Sequence, residues 1–357
     1  MRISWIDSWR GILIILVVLG HVVGMSYHFV AGSEQIWMSF CYKVIYSFHM
    51  PAFFVLAGYL AHVKEDSFTS FFSRKFKRLI VPYLFWGFVS ASIYTLGQVY
   101  IPVIFKGAST QAYIGKGTKY IIEPFLSILH GGGWPDGRGF QCNSVLWFLP
   151  ALFIVEIVYF NINHFAKSKI LQILIALVCL PIWILTLPII EYAPCGIGQL
   201  FHYLPYFIFG QMVRCIVNIK RDIEHNVKLT SLLMILIVLH IISCFMTPDM
   251  FKMRNSLLWL FVFCAISFLG ITASIVLAKL IDTPSLQQIG HGSMITMLLH
   301  KFIVLGIFNL LPFAQLLKHM NILGLLLSII GASALCIITC QYAYSKIKHY
   351  CPLLIGE

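Results

Sequence analysis

Charge is scarce in this sequence. Of 357 residues only 13 are acidic, and charged residues of both signs make up 11%. A soluble globular domain carries about 25%, so that class is excluded. No two of the ten cysteines have the CxxC spacing, which argues against a metal site, and most lie inside apolar runs as small hydrophobes. Cys142 and Cys195 are the exceptions, in segments expected on the outer face, where a disulfide is chemically possible. No internal repeat is visible in the apolar runs or between them. The first run follows about nine residues and lacks a small-residue cleavage site, so it reads as retained and not as a signal peptide. Lys and Arg number 25, yet they lie between apolar runs instead of along one face, which sets nucleic acid aside.

Apolar length is what the chain has in abundance: 59% of it is hydrophobic. About 20 apolar residues at 1.5 Å rise cross a hydrocarbon layer of ~30 Å. Ten runs meet that requirement, at 10–30, 36–62, 79–105, 144–163, 170–189, 199–217, 228–247, 255–281, 293–313 and 320–345. The expected fold is all-α, a polytopic transmembrane helical bundle of about ten spans that forms one membrane-embedded domain over 1–357. Basic residues gather in alternate connections, above all Arg74, Lys75, Lys77 and Arg78, then Lys167 and Lys169, then Arg214, Lys220 and Arg221. By the positive-inside rule both termini are cytoplasmic, the loop 63–78 is inner, and the long loop 106–143 is outer. The cell's inner (cytoplasmic) membrane is the expected location.

Chemistry would need residues 7–21 more than packing would. At 100° per residue Arg10 and His21, eleven positions apart, fall about 20° from eclipsed, and Asp7 lies within about 40° of His21. The rise places Arg10 at a membrane surface and His21 roughly 16 Å deeper, near mid-membrane. An ionisable group at that depth faces a bundle interior or a wet cavity and is a functional candidate; the alternatives are helix-bridging glue for His21 and interfacial anchoring for Arg10. His49, in Phe48-His49-Met50-Pro51, reaches a similar depth in the second span. There Pro51 removes a backbone donor, so His49 either belongs to a site or serves the freed backbone. His300, in the ninth span, is a third histidine at intermediate depth.

Four cations in five residues, Arg74, Lys75, Lys77 and Arg78, suit a ligand with several phosphates; inner loops beside membrane helices are basic in any case and attract anionic lipid. The outer loop carries His130-Gly131-Gly132-Gly133-Trp134-Pro135-Asp136-Gly137-Arg138 and is too long for a simple turn. Trp134 offers a face of the kind that stacks on sugar rings, with Asp136 and Arg138 as hydrogen-bonding partners. Trp147 and Glu156, in the fourth span, complete the candidate acceptor-binding set, and Glu156 within a bilayer needs a partner or a proton.

Asp7, Trp9-Arg10-Gly11 and Gly20-His21 open a series of motifs. It continues with Phe48-His49-Met50-Pro51, Ala57-Gly58-Tyr59, Lys75-Phe76-Lys77-Arg78, Val81-Pro82-Tyr83, Trp147-Phe148-Leu149-Pro150, Tyr206-Phe207-Ile208-Phe209-Gly210 and Leu298-Leu299-His300. In this order they resemble the integral-membrane acyltransferase-3 family, the O-acyltransferases of cell-surface glycans, and within it the branch named for fucose 4-O-acetylases. The resemblance implies transfer of acetyl from cytoplasmic acetyl-CoA, as acyl donor and with no metal, to the hydroxyl of a glycan or lipid-linked sugar. It makes Arg10 and His21 the family's arginine–histidine pair, and Lys75 and Arg78 its basic element, with Lys75 where the family has arginine. Ala57 stands where a serine is common, which argues against a serine acyl-enzyme there.

On this reading the CoA phosphates sit on Arg74, Lys75, Lys77 and Arg78, with Arg10 contacting phosphate or pantetheine. His21 is then the general base or carries the acetyl group itself. His49 or His300 stabilises the oxyanion or shuttles the proton. The rival from another class is a secondary transporter or exporter of a small anionic or acylated metabolite, since broken helices and mid-membrane polar groups suit both.

Overall fold

The computed structural model describes residues 3–61, 67–97, 122–129, 143–190, 193–216, 227–247, 257–310 and 313–357. Among them there is no strand, and the fold is an all-α bundle of membrane-spanning helices. Its helices are α1 Ser4–Ser26, α2 Gly32–Tyr46, α3 His49–Leu60, α4 Phe68–Lys75, α5 Val81–Thr95, α6 Glu123–Leu129, α7 Phe148–Phe165, α8 Lys169–Ile190, α9 Leu200–Ile216, α10 Val227–Met246, α11 Leu257–Leu280, α12 Pro284–His291, α13 Ser293–Leu310, α14 Phe313–Leu317 and α15 Ile322–Tyr350.

Every expected span is occupied by a helix, but the spans are not alike. Among the described residues seven are long and apolar enough to cross a bilayer, and the pair Pro284–His291 and Ser293–Phe308 meets the same test only when its two limbs, bent by 76°, are taken together. The expected spans 79–105 and 199–217 appear as α5, of 15 residues, and α9, of 17. The ninth expected span is thus the second limb of a bent helix pair.

The second span breaks where its sequence demands. Pro51 sits in the first turn of α3, where a missing donor is tolerated, and the chain bends at Ser47 and Phe48. The carbonyl of Ser47, which a continuous helix would have paired with residue 51, instead accepts from Ser267 Oγ at 2.6 Å. At the other end of α3, Gln211 and Arg214 of α9 donate to the carbonyls of Gly58 and Ala61.

Glycine permits the two closest helix approaches. A Cβ on Gly58 would collide with Phe207 O and one on Gly210 with Val55 O, so α3 and α9 meet backbone to backbone. Gly11 and Gly290 do the same for α1 and α12, against Leu286 O and Asp7 O. Such small-residue contacts are the usual means of close packing where lipid offers no hydrophobic drive between helices. The main core lies among α1, α3, α7 and α9, and a second cluster joins the later half of α1 to α13 and α15. α8 and α10 turn most of their surface outward, as helices facing lipid do.

Candidate active site

Two breaks and a glycine contact bring three histidines together. His21 on α1 is half-buried, while His49 and His300 are buried. The rings of His21 and His300 lie 5.0 Å apart, tilted by 43°. Tyr46, the last residue of α2, joins the third: its hydroxyl is 3.4 Å from His21 Nδ1, and its ring is 4.7 Å from that of His49. Tyr42 stacks on Tyr46 at 3.8 Å and backs it. The histidines of three separate spans thus form one run of neighbouring rings, His49 to Tyr46 to His21 to His300.

Backbone carbonyls set the orientation of two of these rings. His49 Nδ1 donates to Ile45 O at 2.8 Å, and His300 Nδ1 to Thr296 O at 2.7 Å. A carbonyl only accepts, so each Nδ1 carries a proton. His49 therefore serves the backbone near the break as well as facing Tyr46, and Ser267 takes the carbonyl that Pro51 itself frees. Among the described residues no three His, Cys, Asp or Glu side chains are arranged to hold a metal ion.

At the start of α1, Arg10 Nη1 lies 3.4 Å from Asp7 Oδ1, and His291 Nε2 lies 3.3 Å from Asp7 Oδ2. Asp7 is buried by the Gly11–Gly290 contact, and His291 ends α12 just before the 76° bend. One carboxylate thus ties the arginine of α1 to the elbow of the broken span that carries His300. Beside it the Asp282 carboxylate accepts from Ser4 Oγ at 2.5 Å, Ser8 Oγ at 2.6 Å and Gln287 Nε2 at 2.9 Å. Burial pushes this carboxyl up, and the three donors outweigh it, holding it below its ordinary value.

The basic segment is built on α4, whose N-cap Ser67 accepts from Ser70 N. A π-helical turn, Phe76–Ile80, links it to α5. Such turns recur at functional sites because one extra residue re-aims the side chains that follow. Phe71 and Leu79 anchor the segment in the core, and Arg74, Lys77 and Arg78 are exposed. Lys75 turns inward, with its Nζ 2.6 Å from Glu156 Oε1 of α7. The two residues were expected at a phosphate site and an acceptor site respectively; the structure joins them to each other.

Ser144 Oγ accepts from Lys301 Nζ at 2.6 Å, and the buried Asn143 amide donates to Leu298 O at 2.8 Å, which docks the turn before α7 on the helix of His300. Trp147 then stacks on Tyr203 at 5.6 Å, and Tyr203 on Phe54 at 4.2 Å. Trp134, Asp136 and Arg138 lie outside the described residues, as does the proposed Cys142–Cys195 pairing.

A model of the acyltransferase-3 family, described as an acyltransferase domain, matches residues 3–341. The chain belongs to this family. Two curated relatives are similar over a shorter stretch, both called nodulation protein NolL. That of Mesorhizobium japonicum is 39% identical over 82 residues, covering 22% of this chain and 21% of that protein. That of Sinorhizobium fredii is 40% identical over 82 residues, covering 22% of each. The matched stretch thus spans about a fifth of either relative's length. No solved structure matches the chain.

In this member of the acyltransferase-3 family the sequence reading missed Tyr46, His291 and Asn143. Tyr46 carried a signal, since it lies three residues before His49 and four after Tyr42, both spacings that share a helix face. His291 and Asn143 carried none, because each acts on a helix distant in the chain.

Proposed function

We propose that this acyltransferase moves an acetyl group from cytoplasmic acetyl-CoA to a hydroxyl of a cell-surface glycan or lipid-linked sugar. The observation that carries the reading is the meeting of three histidines inside the bundle, His49 reaching His21 through Tyr46 and His21 lying against His300. Scaffold histidines on three spans would have no reason to converge, whereas acyl transfer to a hydroxyl needs a group to take its proton and a polar lining for the developing oxyanion. Arg74, Lys77 and Arg78, exposed together on one segment, suit the CoA phosphates, since guanidinium forks pair with phosphate oxygens and an ammonium adds point charge. Arg10, paired with Asp7 at 3.4 Å and on the same helix as His21, suits the pantetheine or a phosphate.

The acceptor would approach through the outer loop and the aromatic stack of Trp147, with the enzyme seated in the cytoplasmic membrane. His21 takes either the hydroxyl proton or the acetyl group itself. The test is release of CoA thiol from acetyl-CoA by purified protein in lipid. Replacing His21 by Ala should lower release about 10²- to 10⁴-fold if the residue is a base, and nearly abolish it if the residue carries acetyl. Release indifferent to His21 would sink the assignment, and absence of acetyl-CoA binding would return the transporter reading.

A further inference from the structure

His300 combines three features that no packing role requires. Its ring is fully buried, with 0% exposure. Its Nδ1–H is held by Thr296 O at 2.7 Å, which fixes the tautomer of the neutral ring and leaves Nε2 as a bare lone pair. Among the described residues that Nε2 has no hydrogen-bond partner. Buried polar atoms are nearly always paired, so a fixed, unpaired acceptor beside a reactive cluster wants a donor from outside the protein. The ring lies 5.0 Å from that of His21. His49 has a similar backbone lock, yet it stands against Tyr46 at 4.7 Å.

We infer that His300 accepts the proton of the acceptor hydroxyl at Nε2, which leaves His21 to carry the acetyl group. The inference rests on the acetyl-CoA reading above and separates the two roles that reading leaves to His21. His21 Nδ1 lies 3.4 Å from the Tyr46 hydroxyl; in the inferred scheme Nδ1 carries the ring proton and the lone pair is at Nε2. That nitrogen attacks the thioester carbonyl; the C–S bond breaks, and CoA leaves as a thiolate. The product is an Nε2-acetylimidazolium that keeps its Nδ1–H toward Tyr46. The acceptor hydroxyl then donates to His300 Nε2. As its oxygen attacks the acetyl carbonyl, its proton passes to His300, the N–C bond to His21 breaks, and His21 is restored neutral. His300 returns the proton to the CoA thiolate, so the sum is thioester plus alcohol giving ester plus thiol. Asking one imidazole to do both jobs would leave the second histidine bare for no purpose.

Hydroxylamine separates base catalysis from structure, because at neutral pH it attacks an acyl-imidazole without a base. The native protein in lipid, His300→Ala, the similarly sized His300→Gln, and His21→Ala are each mixed with acetyl-CoA, and thiol release is followed with water or hydroxylamine as acceptor. The expected result is a burst of about one thiol per protein in the native chain and in both His300 variants, and none in His21→Ala. Steady release to water should fall about 10²-fold or more in the His300 variants, while release to hydroxylamine stays within a few-fold of native. Loss of the burst in both His300 variants, or an equal fall with both acceptors, would overturn the inference. So would native turnover without a burst, which leaves the acetyl-CoA reading standing; a native chain that never releases thiol removes that reading itself.

Discussion

Lys75 and Glu156 stand 81 positions apart in the chain and 2.6 Å apart in the fold. Both side chains are nearly enclosed, at 13% and 5% exposure, so the pair fastens the π-helical turn to α7. Glu156 Oε2 has no partner among the described residues, which makes Lys75 the principal compensation for a carboxylate within the membrane. Arg74, Lys77 and Arg78 are then presented by a segment whose position this pair fixes.

Removing either partner alone should be costlier than removing both. Lys75→Met or Glu156→Leu strands an opposite charge in low dielectric and is expected to lower stability by about 3–5 kcal/mol, whereas the double replacement recovers most of the loss. Unfolding midpoints in detergent for the four proteins of the cycle check this. Equal and additive losses would mean that the pair is not coupled.

On the acetyl-CoA reading proposed above, the exposed cations act on donor affinity and not on chemistry. Replacing Arg74, Lys77 and Arg78 together by Ala is expected to raise the KM for acetyl-CoA at least tenfold with kcat nearly unchanged, since the phosphates lie far from the reacting carbonyl. The effect should shrink in high salt, where the native affinity falls as well. A fall in kcat at unchanged KM would place these residues elsewhere in the cycle.

Close helix contacts leave no room for a methyl group. Gly58→Ala and Gly210→Ala each press a Cβ into a backbone carbonyl of the opposite helix, with an expected cost of about 1–3 kcal/mol each. The two positions share one contact, so the double variant should lose less than the sum of the singles. Gly97 and Gly331 have open space where a Cβ would stand, and Ala at Gly331 in α15 should be neutral or slightly stabilising. Thermal midpoints of the variants decide between these outcomes.

The carboxyl of Asp282, held below its ordinary value, ties stability to acid pH. A depressed carboxylate stabilises the fold above its unfolded value of about 3.9 and loses that contribution as pH falls through the folded value. The midpoint of Asp282→Asn should therefore lie below native at pH 7, and the gap should narrow below about pH 4. A gap that is constant with pH would assign the effect to packing. The group is partly exposed, so the shift should be small and salt-sensitive.

Much of this protein was legible in its sequence. Runs of about 20 apolar residues mark where helices form, and a helix occupies each of the ten expected runs, although among the described residues only seven are by themselves long and apolar enough to cross a bilayer. Pro51 announced a break, and ordered motifs from Asp7 to His300 announced the family. These are local properties, set by covalent geometry and by transfer out of water, and they survive without knowledge of neighbours.

Tertiary structure decided which of these residues meet. Periodicity places Glu156 and Lys75 on their own helices but contains no term for the distance between α7 and the π-helical turn, so a buried pair was read as two separate sites. Likewise, nothing in the ninth apolar run said that it is the second limb of a bent helix pair, or that Asp7 holds its elbow through His291. The tautomer of His300 was equally hidden, because it depends on which carbonyl the folded backbone presents to Nδ1. The sequence determined what chemistry was available and on which helices. Helix packing, through Gly11, Gly58, Gly210 and Gly290, decided which side chains share it, because only close backbone contact brings distant spans within hydrogen-bonding reach.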